Sequence, residues 1–102
     1  MLKLDLDPSY FEEIKLILQR IAPTAEIWAY GSRLSDKHHE GSDLDLVLRH
    51  PNQLNQVSPE VFLLREAFQD SNIPILIDIM DWATLPTRFR QEIEKKYVVI
   101  QS

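Results

Sequence analysis

With 102 residues, the chain is expected to form one domain over residues 1–102, with no second lobe to enclose a substrate. Sixteen acidic side chains against eleven basic ones give a net charge of −5, which opposes general binding to nucleic-acid backbones or anionic membranes. The absence of cysteine excludes a disulfide frame and a thiolate metal site. No amino-terminal stretch is apolar enough for a signal peptide or a membrane span, so a cytoplasmic protein is expected.

The first element is a helix. Asp7-Pro8 and Ser9 with Glu12 offer two competing starts, one with proline in the first turn and one a capping box. Tyr10, Ile14, Ile17, Leu18 and Ile21 form one apolar face, and Ala22-Pro23 ends it. Glu26 to Tyr30 is rich in β-formers and runs into Gly31-Ser32, so a strand is predicted that stops at a tight turn. Asp43 to Leu48 alternates acidic and apolar residues, as a strand does with one face on a core and the other toward something charged.

Ser58-Pro59-Glu60 predicts a second helix carrying Val61, Leu64 and Phe68 on one stripe, followed by a third strand over 73–80. A third helix over 84–96, with Leu85, Phe89 and Ile93 as its apolar stripe, precedes a short β-prone tail over 97–100. The alternation makes the fold class α/β.

The chemistry is concentrated in Gly31-Ser32, in Asp43-Leu44-Asp45 ten residues further on, and in Asp78. A Gly-Ser pair that leaves a strand and opens a helical turn presents backbone N–H groups to phosphate oxygens, with no side chain at Gly31 to block their approach. Alternate residues of a strand share a face, so Asp43 and Asp45 project together while Leu44 points to the core. Two carboxylates roughly 6–7 Å apart repel by about 2.5 kcal/mol at an effective dielectric near 20. Hard divalent cations take such oxygen ligands, and a pair of them can clamp an in-line displacement at phosphorus. Asp78, flanked by Ile77 and Ile79, either completes the metal site or accepts the proton of an incoming hydroxyl.

Ala29-Tyr30-Gly31-Ser32-Arg33, Gly41-Ser42-Asp43-Leu44-Asp45-Leu46 and Ile77-Asp78-Ile79-Met80-Asp81-Trp82 resemble the signature blocks of the MNT-type minimal nucleotidyltransferases of the polymerase-β-like superfamily. The resemblance implies a small mixed sheet flanked by helices, use of Mg²⁺ and ATP, and a HEPN-domain ribonuclease toxin as partner. It also implies that AMP is transferred to a tyrosine of that toxin. By the same resemblance Gly31 and Ser32 bind the triphosphate, and Asp43, Asp45 and Asp78 form the carboxylate triad that holds two Mg²⁺ ions. Arg33 matches the block too, and its fixed charge would pair with phosphate.

Each feature has a plainer account. Gly31-Ser32 can be a strand-ending turn, Asp43 and Asp45 a solvated strand face, and Asp78 an acid that protects a sheet edge. Asp81 has the opposite strand parity to Asp78 and is expected to cap the following turn. His38 and His39 are expected in a polar loop and are poor metal ligands, while Trp28 and Trp82 are core or partner-contact residues. Two other functions fit the pattern. One is neutralisation of the partner by binding alone, with Trp82 and the apolar tail as contacts; the other is nucleotidyl transfer to a small molecule of the aminoglycoside type.

Overall fold

The computed structural model describes residues 4, 6–34 and 43–102, apart from the Ser32 side chain. Gly41, Ser42 and the His38-His39 loop lie outside the described residues.

Helix α1 spans Pro8–Ile21 and uses the first of the two candidate starts. Asp7 is its N-cap, and the carboxylate accepts from the Ser9 N–H at 2.8 Å and the Ser9 hydroxyl at 2.6 Å. Strand β1 spans Glu26–Tyr30, β2 Leu44–Arg49, β3 Ile77–Asp81 and β4 Val98–Gln101. They form one sheet in the order β3-β2-β1-β4. The β1–β2 and β1–β4 pairs are antiparallel and the β2–β3 pair is parallel. A parallel pair needs a crossover, and here it contains helix α2, Glu60–Asp70.

Two elements begin later than the sequence pattern predicts. The third strand was expected from residue 73, but Pro74 lacks the N–H a ladder uses, and regular pairing starts only at Ile77. Helix α3, Thr87–Lys95, starts after Pro86 rather than at Thr84. The intervening Trp82–Thr84 forms a 3-10 turn capped by Asp81, whose carboxylate accepts from the Ala83 N–H at 3.1 Å and the Ser58 N–H at 2.7 Å. The capping role expected for Asp81 is thus observed. Its second bond ties the end of β3 to the approach to α2.

The alternation within the strands separates two cores. Ile27 and Ala29 of β1, Leu44, Leu46 and Leu48 of β2, and Ile79 of β3 pack with Ile14 and Leu18 of α1 and Leu64 of α2. Trp28 and Val47 belong to the opposite face, with Trp82, Leu85 and Ile93. There Trp28 stacks on Tyr97 with centroids 3.8 Å apart. The Arg49 guanidinium lies 4.1 Å from the Trp28 ring and 4.6 Å from the Trp82 ring, and pairs with Glu26. Trp82 is only 3 % exposed, so it is a core residue and offers no partner contact.

Neighbouring leucines of α2 test the assignment of faces. Leu64→Ala is expected to lower unfolding free energy by about 2–5 kcal/mol, and Leu63→Ala, on the exposed side, by no more than about 0.5 kcal/mol. Urea denaturation monitored by circular dichroism measures both.

Candidate active site

The sheet register decides which acids meet. Asp45 pairs with Tyr30 of β1 on one side and with Asp78 of β3 on the other. Paired residues project from the same face of a sheet, so Tyr30, Asp45 and Asp78 form a row across three strands. Asp43 lies two residues before Asp45, at the entry to β2, and shares its parity. Trp28 and Val47 occupy the next row on this face, under the second core. The acids therefore stand at the end of the face where that apolar cover stops.

Asp45 is half-buried, while Asp43 and Asp78 are exposed. Burial raises the Asp45 carboxyl above the usual carboxylate range, and the negative charges of Asp78 and then Asp43 raise it further. The same surroundings push the Tyr30 hydroxyl up to about 12, through burial first and then the charges of Asp45 and Asp78. Exposed Asp78 alternates away from the core that buries its neighbour Ile79, so this acid does not need a buried partner.

Gly31 follows β1 with φ +86°, a conformation that residues with a side chain rarely adopt. A Cβ there would lie 2.5 Å from Asp45 Oδ2. The glycine is thus needed twice, for its backbone angle and for its closeness to the carboxylate. A 3-10 turn, Ser32–Leu34, comes next, and the Leu34 N–H donates to the Gly31 carbonyl at 3.2 Å. Arg33 lies in this turn and is 6 % exposed, so its guanidinium is held within the protein rather than offered at the surface.

Among the described residues, no three His, Asp or Glu side chains stand close enough to hold one ion as they are. The donor chemistry nevertheless fits a hard divalent cation, because all three groups are carboxylates and Asp45 carries repulsion that a cation would relieve. Asp43 and Asp78 are exposed, which leaves their side chains room to turn toward it.

Part of this neighbourhood has no motif. A cavity of about 290 Å³ lies between the end of β1 and α3, lined by Tyr30, Gly31, Phe89, Glu92, Ile93 and Lys96. Phe89 was expected in the core stripe of the third helix. It is instead 42 % exposed and meets Tyr30 edge-to-face, with centroids 6.0 Å apart. With the helix starting at Thr87, Ile93 alone of its residues is buried.

The family described as "Polymerase beta, Nucleotidyltransferase" matches residues 12–102. The chain belongs to this nucleotidyltransferase family. It is also 39 % identical over 99 residues to a protein of Haemophilus influenzae named "Probable protein adenylyltransferase MntA", an alignment covering 97 % of this chain and 85 % of that one. The resemblance of the three sequence blocks to minimal nucleotidyltransferases is borne out, as is the mixed sheet flanked by helices. Among the described residues, no helix of this nucleotidyltransferase is long and apolar enough to cross a membrane.

Two substitutions test the geometry. Gly31→Ala is expected to cost at least about 1–2 kcal/mol from the backbone angle alone, measurable by urea unfolding. Asp45→Asn tests the charge. A carboxyl whose pKa is raised on folding gives stability that is full below its unfolded value and lost as pH rises through its folded one. The Asn variant is therefore expected to be more stable than the native protein at neutral pH, with the difference shrinking toward about pH 3. Equal stability difference at both pH values would count against a carboxyl raised by burial and by the neighbouring acids.

Proposed function

We propose that this nucleotidyltransferase transfers AMP from ATP to a tyrosine of a partner HEPN ribonuclease toxin, and so acts as the antitoxin of a toxin–antitoxin pair. The observation that carries the reading is the row of Asp45 and Asp78, with Asp43 two residues before it, packed against a glycine that no other residue can replace without displacing Asp45. The similar Haemophilus influenzae protein bears the name of a probable protein adenylyltransferase, which supports a protein as acceptor.

In this reading Gly31 and the Ser32 turn receive the triphosphate, and the fixed charge of Arg33 assists from its buried position. Asp43, Asp45 and Asp78 would hold two Mg²⁺ ions, which would neutralise phosphate charge and polarise the phosphoryl oxygens. Asp78 stands at the outer edge of the row and takes the proton of the acceptor hydroxyl. The tyrosine oxygen bonds to the α-phosphorus as the bond to the bridging oxygen breaks, and pyrophosphate leaves. A cytoplasmic setting, where ATP and Mg²⁺ are both supplied, goes with this chemistry.

Incubation with Mg²⁺, ATP and the HEPN partner is expected to add the mass of AMP to a tyrosine of the partner, read by mass spectrometry. Asp43→Asn should lower the rate by roughly 100- to 1,000-fold, the equivalent of several kcal/mol of lost charge stabilisation. Neutralisation of the toxin by Asp43→Asn and Asp45→Asn as complete as by the native protein would instead favour binding alone. In a separate measurement, Mg²⁺ is expected to raise the melting temperature of the native protein and to have no such effect on the Asp43→Asn, Asp45→Asn double variant.

A further inference from the structure

A cavity beside Gly31 lies next to the carboxylates and is left unused by the proposed chemistry. Its volume of about 290 Å³ lies at the small end of ligand pockets, roughly 300–1,000 Å³. That suits one ring system with part of a sugar and is too little for a whole nucleoside triphosphate. Its lining is also wrong for phosphate. Tyr30, Phe89 and Ile93 make the wall apolar and aromatic, and the two charged residues, Glu92 and Lys96, are of opposite sign. Gly31 belongs both to this cavity and to the contact with Asp45, so a ligand with phosphates at the turn has its other end within reach of the cavity.

We infer that this cavity seats the purine base of the nucleotide, with Phe89 as the stacking surface and Glu92 and Lys96 reading the edge of the base. The inference rests on the nucleotidyl-transfer reading and adds to it the means of choosing the nucleotide. Phe89 is an aromatic ring left 42 % exposed, yet it is braced edge-to-face against Tyr30. A ring held in position offers a stacking face at little entropic cost. Ile93, 3 % exposed, forms the apolar floor. Glu92 and Lys96 are four residues apart, one turn along α3 and its C-cap. A carboxylate accepts from the exocyclic amino group of adenine and an ammonium donates to a ring nitrogen. The contact of Glu92 with Lys95 at 2.8 Å is between exposed groups and is weak enough to yield.

Calorimetric titration of the native protein in Mg²⁺ with ATP, CTP and inorganic tripolyphosphate tests the inference, because the last ligand has phosphates and no base. ATP is expected to bind more tightly than CTP or tripolyphosphate. Phe89→Ala should weaken ATP by roughly 10-fold and leave tripolyphosphate unchanged, and Phe89→Tyr should restore ATP binding. Lys96→Ala and Glu92→Gln, both at exposed positions, should change the ratio of ATP to GTP affinity. Phe89→Ala binding ATP as tightly as the native protein would overturn the base seat while tripolyphosphate binding still upheld the phosphate seat. Equal affinity for ATP and CTP would overturn it as well. Failure of the native protein to bind any of the three would overturn both this inference and the nucleotidyl reading beneath it.

Discussion

The site depends on the pairing of β2 with a strand on either side. Asp45 is central because the antiparallel register with β1 sets Tyr30 beside it and the parallel register with β3 sets Asp78 on its other flank. A slip of one residue in either pairing would turn an acid into the leucine-rich core and a leucine into the site. That register is held by the opposite face of the same strands, where Leu44, Leu46 and Leu48 are fully buried against α1 and α2. Apolar packing on one face thus positions like charges on the other, and burial together with those charges raises the Asp45 carboxyl.

Gly31 lets the chain turn tightly against that repulsive cluster. Its positive φ turns the chain at the end of β1, and its missing side chain lets Asp45 Oδ2 occupy the space where a Cβ would be. Backbone and carboxylate therefore meet at one point, at the end of β1. The second core serves the same end from the other side. Trp28, Tyr97, Arg49 and Trp82 build a stack that covers the remainder of the functional face, and Ile93 anchors α3 beside the glycine turn.

Much of this was legible in the sequence because it rests on local rules. The N-cap at Asp7, the strand from Glu26 to Tyr30, the alternation after Asp43 and the capping by Asp81 each depend on residues within a few positions of one another. The late starts of β3 and α3 are local as well, since Pro74 and Pro86 delay a strand and a helix by removing backbone donors or bending the approach. Phe89 departs from its spacing pattern for a different reason. Its spacing from Leu85 and Ile93 fits a continuous helix, but Leu85 precedes the helix, and the stripe does not face a single surface.

The sequence by itself determined the types of group available: a Cβ-less turn after a strand, two acids of one parity, a third acid between isoleucines, and no thiol. Those follow from residue chemistry and the period of a strand. Tertiary structure alone decided that Asp78 stands beside Asp45, that Tyr30 completes the row and that α3 walls a cavity next to Gly31. Register and crossover join residues more than thirty positions apart in the case of Asp45 and Asp78, and no local spacing encodes which strand lies beside which. Burial follows the same division. Trp82 and Arg33 are polar-capable side chains that could face either way by pattern, and both lie inside.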